Sequence, residues 1–193
     1  MLSYEESLKI LKETNALIDG HFILSSGLHS AQYVQCAQLL SKPDKSKAIC
    51  KSLAEKVKSA FGVFDLILSP AMGGIVVGYE IGRLLGIETI FAERVDNKFT
   101  LRRDFKILKN QSVLIVEDVI TTGKSSLECT HLIDKAGASI VGFACIIDRS
   151  QKKSVLKKKI ISQVELNIPT FSKDNIPKNL STIKAVKPGS RNL

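Results

Sequence analysis

Apolar residues first recur at helical spacing, then alternate with polar ones, and from about residue 64 run in continuous blocks separated by helical segments. Leu8, Leu11 and Ile18 stand among charges at helical intervals, which predicts an amphipathic helix over 4–18 ending near Asp19-Gly20. A short strand over 21–24, a turn over 25–30 and a returning strand over 33–36 read as a hairpin. Pro43-Asp44 opens a long helix through residue 61 whose buried face carries Ile49, Leu53, Val57 and Ala60. Apolar strands follow at 64–69, 88–92, 112–116 and 140–147, with helices at 73–85 and about 124–135. That alternation predicts an α/β fold: an open, mostly parallel, doubly wound sheet flanked by helices, with its ligand at the carboxyl ends of the strands. The polar, highly charged stretch 93–106 has no steady apolar period and is expected to be a mobile active-site loop. After Ile160 comes one apolar stretch and then Pro169, Pro177 and Pro188, so the tail is expected to wrap the core as irregular structure.

The chain of 193 residues suits one compact domain with at most a small appendage, and at that size folding buries roughly 70% of the unfolded surface. Cys36, Cys50, Cys129 and Cys145 are far apart and form no C-x-x-C pair. Reduced, buried thiols in a cytoplasmic protein are expected. The first six residues carry acids where an export signal carries positive charge, and the apolar stretch 66–79 is broken by Pro70, Gly73, Gly74 and Gly78. A soluble protein without membrane contact is expected. The formal net charge of +9 favours an anionic partner: a polyphosphate ligand, a nucleic acid or an acidic surface. The lysines of 151–159 read as a solvated helix or edge segment, and the absence of an interleaved aromatic residue favours that over a nucleic-acid stripe.

The most informative stretch runs from Val113 to Ser126. It ends in Gly123-Lys124-Ser125, the tail of a triphosphate-binding loop, yet the position where that loop needs its first glycine holds Asp118. A carboxylate there repels a triphosphate, whereas the turn Val119-Ile120-Thr121-Thr122-Gly123-Lys124-Ser125 before a helix N-terminus still suits a monophosphate. Carboxylates accept hydrogen bonds from vicinal sugar hydroxyls, so Glu117 and Asp118 beside such a turn fit a ribose 5-phosphate.

Four apolar residues, two acids and Val-Ile-Thr-Thr-Gly-Lys-Ser resemble the signature of the type I phosphoribosyltransferases, which bind 5-phosphoribosyl 1-pyrophosphate (PRPP). Most of the remaining chain is similar to the orotate-specific branch of that family in its shorter bacterial form. The matching segments are 20–30 with Tyr33 and Gln35, 69–75, 99–103, 148–150 and 187–191. The resemblance implies a hood from residues 1–42 and 151–193 over a PRPP-binding core at 43–150, with the mobile loop at about 94–106. It further implies transfer of ribose 5-phosphate from PRPP to orotate, giving orotidine 5′-monophosphate and pyrophosphate. Mg²⁺ is implied as a cofactor held mainly through PRPP with no direct protein ligand, and a homodimer is implied in which the loop reaches the neighbour's site.

Residue by residue, the resemblance gives Glu117 and Asp118 the ribose hydroxyls and 120–125 the 5′-phosphate. The turn at Gly73 and Gly74 takes the pyrophosphate, and Arg94, Lys98, Arg102 and Arg103 supply charge to it. Thr121, Arg149 and Tyr33 contact orotate, whose planar carboxylate suits a guanidinium. An Arg149 simply paired with Asp148 is the alternative. Longer relatives carry lysines where this chain has Gly73 or Gly74 and Ser25. His21, His29 and His131 read as structural, and no general base is identified. Two rival functions share the fold: a purine phosphoribosyltransferase, separable by which base protects the protein thermally, and a nucleic-acid-binding transcriptional regulator, against which stands the lack of an added helix-turn-helix.

Overall fold

A computed structural model describes residues 1–151 and 153–188. Helix α1 (Tyr4–Glu13) starts at a capping box, in which the Ser3 hydroxyl accepts from the Glu6 N–H and the Glu6 carboxylate accepts from the Ser3 N–H. It stops earlier than its apolar spacing predicts. Asn15 takes a left-handed conformation (φ 58°), and the Ala16 N–H turns back to the Leu11 carbonyl at 2.8 Å. Ile18 therefore lies in strand β1 (Leu17–Ile23), which pairs antiparallel with β2 (His29–Val34). The chain then makes a short helix, α2 (Cys36–Leu40), where the sequence had predicted the end of a strand.

Helix α3 (Pro43–Phe61), β3 (Leu66–Pro70), α4 (Gly73–Leu85), β4 (Glu88–Val95), β5 (Lys98–Leu101), β6 (Ser112–Ile120), α5 (Lys124–Lys135), β7 (Ser139–Asp148) and β8 (Ile160–Glu165) build the main layer. Its sheet order is β5-β4-β3-β6-β7-β8, parallel except for the β5 edge. Side chains alternate across it. Leu114 and Val116 pack with Ile49, Leu53 and Val57 of α3 and with Val77 and Ile81 of α4. On the other face Val113 and Ile115 pack with Cys129 and Ile133 of α5. This is the predicted α/β architecture with two cores, one on each side of the sheet.

Two segments depart from expectation. Residues 93–106 are not one irregular loop: β4 continues to Val95, Asp96 and Asn97 turn the chain with φ of 48° and 61°, and β5 returns along β4. Phe99 is buried against the core on the α5 side. The tail after Ile160 is not wholly irregular either, since β8 adds a sixth strand parallel to β7. Beyond it, β9 (Thr170–Phe171) joins β2 to make a three-stranded sheet, and a 3-10 turn and the helix α6 (Lys178–Ser181) follow. Residues 153–159 connect β7 to β8 without a helix. The expected match at 187–191 extends beyond the described residues.

Candidate active site at the carboxyl edge of the sheet

Glu117 and Asp118 do not sit beyond a strand tip; both belong to β6, which runs on to Ile120. Strand alternation therefore sends their side chains to opposite faces. Glu117, 9% exposed, turns toward α5 and accepts a hydrogen bond from the buried hydroxyl of Ser126. Asp118 turns toward the N-terminus of α4, and a Cβ on Gly73 would lie 2.5 Å from its carboxylate oxygens. Burial raises the pKa of both acids, that of Glu117 to about 7 against the opposing pull of the Ser126 hydrogen bond, while Asp118 adds to its rise. Two desolvated carboxylates at the carboxyl edge of a parallel sheet invite hydrogen-bond donors.

After β6 the chain turns through Thr121 and Thr122, both exposed, to Gly123, which is buried in a left-handed conformation (φ 79°) at the N-cap of α5. Val119 and Ile120 remain in the strand, Lys124 is exposed and Ser125 half-buried. The connection after β7 holds this turn from outside: the Val155 N–H donates to the Thr122 carbonyl at 3.1 Å. A Cβ on Gly123 would meet Ser154 Oγ at 2.6 Å and Leu156 Cγ at 2.7 Å. Only glycine satisfies both the dihedral and the contact. The basic segment read as a solvated helix or edge is thus an irregular strap in which Leu156 packs inward while Val155 stays exposed, with Lys152 outside the described residues.

Arg149 begins that strap. Its N–H donates to the Ile120 carbonyl at 2.8 Å, and its guanidinium Nε is buried without a partner among the described residues. Burial lowers its pKa from the ordinary arginine value. Asp148 does not pair with it; that carboxylate accepts from the Ser150 N–H at 2.7 Å. A buried guanidinium N–H unmatched among the described residues can take an acceptor such as a carboxylate.

The second turn, between β3 and α4, contains a cis peptide at Ala71-Met72 and leads into Gly73 and Gly74. Gly74 lies against β6, where an added Cβ would come within 2.9 Å of the Val116 carbonyl oxygen. Of the basic residues in the β4–β5 hairpin, Arg94 pairs with Glu128 at 2.8 Å and covers the Phe99 ring at 4.2 Å, and Arg103 pairs with Glu93 at 2.8 Å. Lys98 and Arg102 are exposed. Tyr33 is half-buried in the hood sheet; its hydroxyl donates to Gln35 Oε1 at 3.0 Å and its ring lies 5.6 Å from that of Phe22.

The sequence reading missed several residues that shape the site: Ser126 under Glu117, the acids Glu93 and Glu128, and Leu156 against Gly123. Their signal is spatial, apart from the position of Ser126 in the first turn of α5. His21 and His29 are buried and joined Nε2 to Nδ1 at 2.7 Å, with His21 Nδ1 donating to the Ile183 carbonyl at 2.9 Å. They tie the hood hairpin to the tail. All four cysteines are free and buried. Among the described residues no helix is long and apolar enough to cross a membrane, and no three metal-ligating side chains come together.

Comparisons with known proteins identify the fold and the family. The phosphoribosyl transferase domain family matches residues 36–177. The orotate phosphoribosyltransferase of Aeropyrum pernix shares the fold with a TM-score of 0.72 at 22% identity, over 82% of this chain and 92% of its own. An adenine phosphoribosyltransferase of Thermoanaerobacter pseudethanolicus shares it with a TM-score of 0.61 at 18% identity, over 70% of this chain and 88% of its own, so the fold does not choose the base. Sequence does. The orotate phosphoribosyltransferases of Maricaulis maris and Parvibaculum lavamentivorans are 42% and 44% identical to this chain over the whole of both lengths. Identity of that extent reaches past the shared core into the hood and tail, and by it the chain belongs to the orotate phosphoribosyltransferase family.

Proposed function

We infer that the chain transfers ribose 5-phosphate from PRPP to orotate, giving orotidine 5′-monophosphate and pyrophosphate, and that the carboxyl edge of β6 and β7 is where it does so. The buried Arg149 Nε, without a partner among the described residues, carries the base assignment. It begins one residue past β7, its backbone is bonded to the last residue of β6, and its guanidinium has the fork geometry that a planar carboxylate accepts.

The reaction displaces pyrophosphate at the anomeric carbon. Positive charge grows on the ribose ring and negative charge on the leaving group, so the protein mainly orients and neutralises. Glu117 and Asp118 accept from the ribose hydroxyls, one from each side of β6, and their negative charge favours the developing cation. The 120–125 turn and the first amides of α5 hold the 5′-phosphate. Gly73 and Gly74 open the turn that takes pyrophosphate, and Lys98 and Arg102 neutralise it, while Arg94 and Arg103, paired with Glu128 and Glu93, hold the hairpin that presents them. Thr121 and Tyr33 border the base. Mg²⁺, if bound, would supply charge neutralisation for the leaving group; Glu117 and Asp118 face opposite sides of β6 and would not form a protein cage for it.

The enzyme works as a homodimer in the cytoplasm. Met72, Val76 and Tyr79 expose an apolar stripe at helical spacing along α4, which suits burial against a second copy, and the β4–β5 hairpin is the element that reaches the neighbouring site. One assay tests the activity: the fall in orotate absorbance when PRPP and Mg²⁺ are added, which must fail with adenine or hypoxanthine as the base. Absence of orotate consumption would remove the assignment.

A further inference from the structure

Ser126 is wholly buried in the first turn of α5, and its hydroxyl donates to Oε1 of the Glu117 carboxyl. The N-cap of that helix is Gly123, which has no side chain to offer the free amides. Glu117, reaching up from β6, meets the buried side of that first turn through the Ser126 hydroxyl. The N-terminus of α5 is thereby divided: its exposed side at 121–125 is open to a phosphate, while its buried side is committed to a carboxylate.

We propose that Ser126 is a positioning residue for the transfer reaction: it clasps Oε1 of Glu117 so that Oε2 meets a ribose hydroxyl, locking the acid that reads the sugar to the helix that holds the sugar's phosphate. The proposal rests on the reading that Glu117 binds ribose. A glutamate has three rotatable bonds, and a buried one without a fixed donor either adopts other rotamers or takes up a proton. Ser126 opposes both. Its hydrogen bond favours the ionised form, against the burial that disfavours it. The other charged or titratable groups near Glu117 are Asp118 beside it on β6, Arg94 on β4, Cys129 on α5 and Cys145 on β7. None of these donates a hydrogen bond to Oε1 among the described residues.

The test compares Ser126→Ala, Ser126→Cys and Glu117→Gln in steady-state kinetics across pH, with thermal unfolding measured alongside. Ser126→Ala is expected to lower kcat on the order of tenfold to a hundredfold, the usual consequence of losing one hydrogen bond to a charged group. The KM for orotate should stay constant, and the acid limb of kcat/KM should move to higher pH, because the carboxylate has lost a donor. Ser126→Cys, nearly isosteric with a weaker donor, should fall between. A variant that melts earlier but keeps the wild-type kcat and pH profile shows a merely structural serine and overturns the proposal. Should Glu117→Gln itself keep full activity, the ribose reading fails first. An inactive Glu117→Gln beside a kinetically normal Ser126→Ala sinks the clasp alone.

Discussion

A Cβ on Gly73 would lie 2.5 Å from either carboxylate oxygen of Asp118, so the second residue of the acidic pair occupies space that only glycine leaves free. Here the start of α4 is given over to Asp118, whose negative charge the helix dipole favours. Gly73→Ala should leave the fold intact at a cost of about 1–3 kcal/mol, as in other overpacked sites. Its larger effect should be on kcat, because the carboxylate has to move off the ribose. Asp118→Asn should depress turnover severely with little change in unfolding temperature. Equal kcat for wild type and Gly73→Ala would separate Asp118 from the reaction.

Glu117 makes stability and activity oppose each other. Burial raises its pKa to about 7, above the ordinary carboxyl value of 4.5, so between those limits the folded state binds more protons than the unfolded one. Stability is then full below the unfolded value and falls as pH rises through the folded one, by roughly 3 kcal/mol on the conversion of a pKa difference to free energy. Glu117→Gln removes the ionisation. It should melt several degrees higher than wild type at pH 8 and nearly the same at pH 5, while losing most activity. Matching melting curves at pH 8 would mean that the acid is better solvated than its position implies.

The sequence told most about elements that carry their own punctuation. Pro43 opens α3, left-handed Gly62 follows its end, and Gly86 follows α4, so those boundaries were legible. Ile18 misled because a strand residue fell by coincidence on the helical interval of Leu8 and Leu11. In β8 the run Ser162-Gln163 interrupts the apolar pattern, and Gln163 is buried only because its amide donates to the Ser7 hydroxyl, 156 residues away in the chain, at 2.7 Å. The hairpin turn Asp96-Asn97 was readable in principle, since these residue types tolerate left-handed conformations, but the surrounding charges hid the alternation of Phe99 and Leu101. For the site, the acids and the phosphate turn were evident as a motif. Their separation onto two faces required knowing that β6 continues past Val116, and the roles of Ser126, Glu128 and Leu156 are contacts that no local pattern encodes.

Arg149→Ala should raise the KM for orotate by a hundredfold or more, in line with the roughly 2–4 kcal/mol lost when a buried charged partner of a carboxylate is removed. PRPP affinity should hardly change, since the strap is anchored through the backbone of Arg149 rather than its side chain. Arg149→Lys should recover little, because an ammonium cannot present two parallel N–H groups. Titration of orotate and PRPP separately against each variant checks both halves. An unaltered orotate KM would assign the buried guanidinium to packing.

The hairpin cations divide by their partners. All four are exposed, but Arg94 and Arg103 are held by Glu128 and Glu93, whereas Lys98 and Arg102 make no ion pair among the described residues. Lys98→Ala and Arg102→Ala should therefore lower kcat more than they lower stability, and the effect should weaken as salt screens the leaving-group charge. Arg94→Ala should instead loosen the hairpin, because it removes both the tie to α5 and the cover over Phe99. Pyrophosphate inhibition measured at low and high salt distinguishes the two classes; a common response from all four would place them in one role.

Leu156 offers a test of the strap that is independent of the acids. Its side chain lies where a Cβ of Gly123 would be, and the neighbouring Val155 N–H is bonded to the Thr122 carbonyl, so residues 154–156 press the phosphate turn from outside. Leu156→Ala opens a gap beside the turn without touching any group that contacts substrate. Rigidity of the amides that hold a phosphate is then reduced, and affinity for that group falls because more of the binding free energy goes into ordering the turn. The expected result is a rise of roughly tenfold in the KM for PRPP with kcat and orotate KM close to wild type, together with about 2–3 kcal/mol lost in stability from the cavity. Inorganic phosphate should protect the variant from thermal unfolding less than it protects wild type. Equal protection would show that the turn is rigid by its own hydrogen bonds and that the strap only fills space.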